Sequence, residues 1–187
     1  ANHIVESFNN NLEHMQGSNW SVYSVDKLSV KFSKYNPLSA AKYVELPEWI
    51  KLKNAVVNLK NNDDFCAIWC VALHQFLKVK TTKDYSHLSQ YKTYFNDIKN
   101  KCQDIQFPLE VDQMPKFEKI VECNINVFCV NKESIDICRI SESDYTDVID
   151  LLIYGGHYSY IKNMSRLITK QRGARAVKSH LCRRCLQ

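Results

Sequence analysis

Apolar residues recur at Phe65, Ile68, Trp69, Ala72, Leu73 and Phe76, the spacing of one helical face. Cys70, Val71 and Leu77 fill the remaining sides, so the pattern predicts a helix enclosed on nearly every side. Four residues suited to capping, Asn61-Asn62-Asp63-Asp64, run straight into it as a polar loop. Upstream, Ile4, Val5, Phe8, Leu12 and Met15 predict a helix that ends at Gly17. Alternation in Leu28-Ser29-Val30-Lys31-Phe32 predicts strand between Trp20 and Tyr35, broken by Asn36-Pro37. Pro47-Glu48-Trp49-Ile50 opens a short helical turn, and Asn54 to Leu59 is a candidate strand.

Downstream, Leu88, Tyr91, Phe95 and Ile98 predict a helix within Tyr85 to Cys102, and Met114 to Val121 a shorter one. Three apolar runs then read as strands: Ile125 to Val130, Ile135 to Ile140 and Val148 to Tyr154. Gly155-Gly156 is a two-residue hairpin signal, with His157 to Asn163 as the returning strand. Helices first and an antiparallel sheet after them is an α+β pattern, with the central helix packed on that sheet.

With 187 residues the chain can bury a sizeable core. No apolar run approaches the roughly 18 to 20 residues of a membrane span, so no membrane partner is expected. Ala1 to Glu6 lacks the basic-then-apolar layout of a signal peptide. The net charge of +5 is concentrated partly in Arg172, Arg175, Lys178, Arg183 and Arg184, which leaves the body close to neutral. Charge therefore does not by itself make the body a nucleic-acid binder. The expected organisation is an N-terminal helix at 1–17, a catalytic body at 18–168 and a basic tail at 169–187. Among the eight cysteines, Cys66 and Cys70 share a helix and Cys129 and Cys138 sit in strand-like runs. That usage reads as reduced thiols in the cytoplasm or nucleus.

Cys66 falls in the first turn of the central helix, where the macrodipole favours thiolate over thiol. His157 begins a strand beside a flexible turn, and its companions by the two-residue period are Ser159, Ile161 and Asn163. A nucleophile on an early helix and a histidine on a late sheet is the papain-like layout, suited to a thiolate–imidazole pair. The orienting group stays open between Asn163 and Asp150, with Asp147 and Asn126 behind them. In a straight strand Asn163 lies roughly 20 Å from His157. The backbone N–H of Cys66 with a side chain of Asn61 or Asn62 would serve the oxyanion, and Asp63 would shape the loop. Gly155 and Gly156, with Trp69 and Tyr158 as walls, would line a narrow substrate channel. His74 lies about 12 Å along the helix from Cys66, too far to take its proton. This chemistry needs no cofactor. At the C-terminus, Cys182-Arg183-Arg184-Cys185 looks like the first half of a zinc finger, and the tail would offer nucleic acid a basic surface. The competing reading makes Cys66 one more small buried hydrophobe. The chain is then a non-enzymatic nucleic-acid- or protein-binding module.

The block Asn61 to Trp69 and the block His157-Tyr158-Ser159-Tyr160-Ile161-Lys162-Asn163-Met164-Ser165-Arg166-Leu167 resemble those of proteins encoded by Maverick/Polinton-type DNA transposons. The resemblance extends through Tyr35-Asn36-Pro37-Leu38, Phe107-Pro108 and Lys116-Phe117-Glu118. Asp63-x-x-Cys66 with a late His157-Tyr158 also resembles ovarian-tumour-type deubiquitinases, and viral-tegument-like deubiquitinases occur in mobile elements. Asp64-Phe65 stands where the former commonly have Gly-Asn, and Gly155 where the latter often carry an acid. These resemblances imply a papain-like cysteine protease fold and a peptidase acting on ubiquitin or ubiquitin-like conjugates.

Overall fold

In the computed structural model the described residues are 43–81, 84–169 and 181–186. They comprise helix α1 (Glu48–Lys51), strand β1 (Val56–Val57), helices α2 (Cys66–Val79), α3 (Lys92–Lys101) and α4 (Met114–Val121), then β2 (Asn124–Asn131) and β3 (Ser134–Arg139). Strands β4 (Val148–Tyr154) and β5 (His157–Ile161) and helix α5 (Met164–Ile168) follow, and short 3-10 turns stand before α3 and α4. The helix expected at 3–15 and the strand expected between 20 and 35 lie outside the described residues.

Residues Cys66 to Leu73 are all buried, as an enclosed helix requires. The cap differs from expectation. Phe65 occupies the N-cap and no side chain caps the helix. Asp63 instead braces the loop, accepting the Phe65 N–H at 3.0 Å and the Trp69 indole N–H at 2.9 Å. Tight turns also trim two other elements. Leu88–Tyr91 is a 3-10 turn, so α3 starts later than the periodicity indicated. Asn163 leaves β5 and caps α5, accepting the Arg166 N–H at 2.9 Å.

The five strands lie in the order β1-β5-β4-β2-β3. The sheet is mixed, which corrects the antiparallel expectation: β2 and β4 run parallel, and the other three pairs are antiparallel. The reason is local. β3 returns the chain to the start of β2, and residues 140–147 pass it to the other side. β4 then runs with β2 without the long crossover that a parallel pair otherwise needs. The Asn124 N–H donates to the Asp147 carbonyl at 2.9 Å where the two strands start. Gly155 and Gly156 turn the chain with φ of 58° and 81°, as a type I′ hairpin requires. A Cβ at Gly155 would also stand 3.0 Å from Val44.

Alternation divides the sheet into two faces. Ile125, Val127, Ile149, Leu151, Tyr158 and Tyr160 face α2, with α3 and α4 completing that core. Phe128, Ile135, Leu152 and Ile161 face the other way and pack against Ile50 of α1 and Leu167 and Ile168 of α5. The end of the chain belongs to this second face. Leu186 is buried there, and Arg183 donates to both oxygens of buried Asp150 at 2.8 and 2.9 Å. The stretch 181–186 is thus packed on the body rather than hanging from it.

One buried ion pair ties α4 to the hairpin. Glu118, fully buried, accepts the Ile125 N–H at 2.6 Å and meets Arg139 at 2.7 Å. Burial alone would raise the Glu118 carboxyl, but Arg139, the Ile125 N–H and Ser141 outweigh it and hold the group below its ordinary value. A depressed carboxyl stabilises the fold fully above its unfolded pKa of roughly 4.3 and loses that contribution as the pH falls through the folded value. Arg139→Met, which strands the Glu118 charge, is expected to cost about 3–5 kcal/mol in urea unfolding near neutral pH. The deficit should shrink in acid, where Glu118 is protonated in both proteins. Deleting residues after Thr169 removes the Leu186 contact and strands Asp150, so the shortened chain should show a lower unfolding midpoint by thermal circular dichroism.

Candidate functional site

Cys66 is the first residue of α2, set there by the braced Asn61–Asp63 loop. Among the described residues β1 pairs with β5 only at Val56↔Ile161 and Val57↔Tyr160, and it stops short of Tyr158. The two cysteines lie against that residue. The Tyr158 N–H is directed at the Cys66 sulfur, and the Cys70 thiol donates to the Tyr158 carbonyl at 3.5 Å. The spacing of four residues puts both sulfurs on one helical face, where they meet the N–H and the carbonyl of one residue of the strand.

Burial pushes the Cys66 thiol up to about 11. The N–H groups of Tyr158 and Ala67 pull it down, and Asp63 adds to the rise. Burial, and then the nearby Cys66, pushes Cys70 well above its ordinary value. Desolvation outweighs the helix terminus here, so both sulfurs are protonated at neutral pH.

The Cys66 sulfur therefore lies against the peptide that joins His157 to Tyr158. The side chain of His157 leaves that strand on the opposite face from Tyr158. The pairing Tyr154↔His157 and the alternation place it with Ser159, Leu152 and Asp150, on the face that α2 does not cover. It is buried, with Tyr43 edge-on at 6.2 Å between ring centres. The structure brings Cys66 to the backbone beside His157 and sends the imidazole to the other side of the sheet.

The remaining residues of the expected site have other engagements. Asp150 lies opposite Ile161 rather than His157, and its carboxylate holds Asn126 at 2.9 Å as well as Arg183. Asn163 caps α5. The buried Asn61 amide donates to the Asp63 carbonyl and carboxylate at 2.8 and 2.9 Å, and Asn62 is exposed. Trp69 stacks on Phe95 at 3.8 Å and Tyr158 is buried against α2, so both are core residues rather than channel walls. Large flat rings beside an enclosed helix are more favourably buried than left to line a groove. Gly155 is exposed and Gly156 half-buried.

At the C-terminus Cys182 and Cys185 are exposed and within hydrogen-bonding reach of each other. Cys185 and the N–H groups of Arg184 and Cys185 hold the Cys182 thiol below its ordinary value. The turn closes through the Leu186 N–H to the Cys182 carbonyl at 2.8 Å, with Leu186 at φ 57°. Amides aimed at a sulfur inside a Cys-x-x-Cys turn suit a metal ligand pair.

Sequence reasoning passed over one polar cluster. It contains His74 and Lys78 of α2, Cys123, Asp147 and Tyr160. The available signal is the pair His74 and Lys78, four residues apart on one face of a largely apolar helix. Two polar side chains on one face of such a helix need partners.

Comparison with protein-family models, curated proteins and solved structures found no match.

In the native chain near neutral pH, exposed Cys182 and Cys185 should alkylate first. Cys66 and Cys70 should stay unmodified over the same period, as read by peptide mass mapping. Raising the pH toward 11 should accelerate labelling of Cys66.

Proposed function

We propose that this chain is a cysteine hydrolase whose described conformation is a closed, protonated form. Its substrate class is a ubiquitin or ubiquitin-like conjugate, the class implied by the resemblances of its sequence. The observation that carries the reading is the contact of the Cys66 sulfur with the peptide following His157. Two residues far apart in the chain meet at a helix N-terminus and a turn-to-strand junction. In the reaction, the Cys66 proton passes to His157 and the sulfur attacks the carbonyl carbon. The C–N bond then breaks as the amine leaves with the proton from His157, and water hydrolyses the thioester. The Cys66 N–H would face the oxyanion. Turnover in this reading requires the His157 ring to swing past the edge of β5 to the sulfur. The Gly155-Gly156 turn immediately before it supplies the backbone freedom.

A specific observation favours a second reading. Cys66 is buried with its thiol held near 11, and Asp63, Asp150 and Asn163 are all engaged in structural bonds. In that reading Cys66 only packs, and the chain is a binding module. Its Cys182 and Cys185 turn would hold zinc once further ligands complete it. The tail would then bind nucleic acid.

The deciding measurement is intact mass after incubation with ubiquitin bearing a thiol-reactive C-terminus. The hydrolase reading expects one adduct, mapped to Cys66, and its loss in both Cys66→Ala and a denatured control. His157→Ala should lower cleavage of a fluorogenic ubiquitin substrate by about 100-fold or more. Adduct on Cys182 or Cys185 alone, or no adduct on folded protein, would leave the binding-module reading standing.

A further inference from the structure

Outside the Cys66 region, three elements deliver ligand-type atoms to one point. Cys123 and Asp147 each immediately precede a strand, and those strands start level with one another at Asn124↔Val148. The parallel register, locked by the Asn124 N–H to the Asp147 carbonyl, sets these two side chains next to each other. His74 comes from the third turn of α2, with Nε2 3.0 Å from Asp147 Oδ1. One imidazole nitrogen of His74, the Cys123 sulfur and an Asp147 carboxylate oxygen all lie within 4.8 Å of one another.

The surroundings favour a cation at this point. The Tyr160 hydroxyl lies 3.0 Å from His74 Nδ1, which fixes the ring with Nε2 on Asp147. Histidine ligands to metals are commonly oriented in this way, through the other ring nitrogen. Cys123 is buried, while His74 and Asp147 are 14% and 28% exposed, so the cluster opens toward solvent on one side. One sulfur, one imidazole nitrogen and one carboxylate oxygen form a borderline-soft donor set. Three such ligands and one open position describe a tetrahedral zinc site. With bonds of about 2.0–2.3 Å, ligand atoms in a tetrahedron stand about 3.3–3.8 Å apart, so the His74–Asp147 pair at 3.0 Å opens slightly, and spacings up to 4.8 Å within the group close. Lys78 pairs with the second carboxylate oxygen of Asp147 and can keep it while Oδ1 turns to a metal.

The geometry points to a binding site for one divalent transition-metal ion of the zinc class, held by His74 Nε2, Cys123 Sγ and Asp147 Oδ1. Solvent fills the fourth position. Binding replaces the hydrogen bond between His74 and Asp147, shifts the ring proton from Nε2 to Nδ1, where the Tyr160 oxygen accepts it, and releases the Cys123 thiol proton to water. The ion ties α2 to the starting ends of β2 and β4. It is independent of the chemistry at Cys66. Without metal, Asp147 accepts hydrogen bonds from the same neighbours, so the structure stands in either state.

The test uses the full chain carrying Cys182→Ser and Cys185→Ser, which removes the exposed thiol pair as a competitor. Titration with Co²⁺ is expected to give one equivalent bound, with tetrahedral ligand-field bands and a sulfur-to-metal charge-transfer band. Zn²⁺ should displace Co²⁺ and raise the unfolding midpoint. Cys123→Ser in this background should lose the charge-transfer band, and Tyr160→Phe should keep the bands while weakening affinity about 10–100-fold. His74→Gln, at a partly exposed position, should weaken binding at least as much and decides the matter if Cys123→Ser does not fold. Absence of a charge-transfer band in the background protein, its survival in Cys123→Ser, or unchanged affinity in His74→Gln overturns the assignment.

Discussion

A helix buried on every side from Cys66 to Leu73 has to be walled in, and the rest of this structure follows from how that is done. Side chains of α2 take the sheet on one flank and the aromatic residues of α3 on the other, where Trp69 stacks on Phe95. Its N-terminal end sits at the edge of β5, where the Cys66 sulfur accepts from the Tyr158 N–H and the Cys70 thiol donates to the Tyr158 carbonyl. An unpaired strand edge buried against apolar surface would forfeit its hydrogen bonds. Thiols are weak partners, but they are small and tolerate burial, and that combination lets a helix stand where a strand would otherwise continue.

That arrangement also accounts for the opposing properties of Cys66. The helix terminus and the Tyr158 amide favour the anion, and enclosure disfavours it. Enclosure prevails, with the thiol held near 11. Charge stabilisation by a macrodipole is worth at most a kcal/mol or two, while desolvation of a buried ion costs several. Reactivity at such a sulfur is a property of access before it is a property of its neighbours. The same balance explains why the cluster around Asp147 behaves differently. There Lys78 and His74 overcome partial burial and keep the carboxyl below its usual range.

Much of the fold was legible because periodicity is local. The helix Met114–Val121, the strands β2, β3 and β4 and the Gly155-Gly156 turn are all written in short stretches of sequence. Strand direction is not written there, since a run such as Ile125 to Val130 looks the same whichever way its neighbour runs. The shortness of β1 was equally hidden, because Asn54 to Leu59 does not disclose that cysteines of another element take over its edge. Leu186, flanked by charge, carries no periodic signal, and its burial depends on a distant face. At the site, the positions of Cys66 and His157 followed from motif and spacing. The side of the sheet that His157 occupies depends on pairing partners, and so do the engagements of Asp150 and Asn163.

The sheet order carries a consequence for assembly. β2–β3 and β4–β5 are hairpins joined by two-residue turns, and the β2–β4 pairing spans only the β3 excursion between them. By contrast, Asn58 and Ser159, which meet at 2.9 Å, are 101 residues apart. Closure entropy favours early formation of the block from β2 to β5 and later docking of β1 and α2. Contacts that form last are generally the ones that open most readily in the native state. The seam between α2 and β5 is then a natural fault line. Parting it would bare Cys66 and the peptide after His157 together while the rest of the sheet stays hydrogen-bonded.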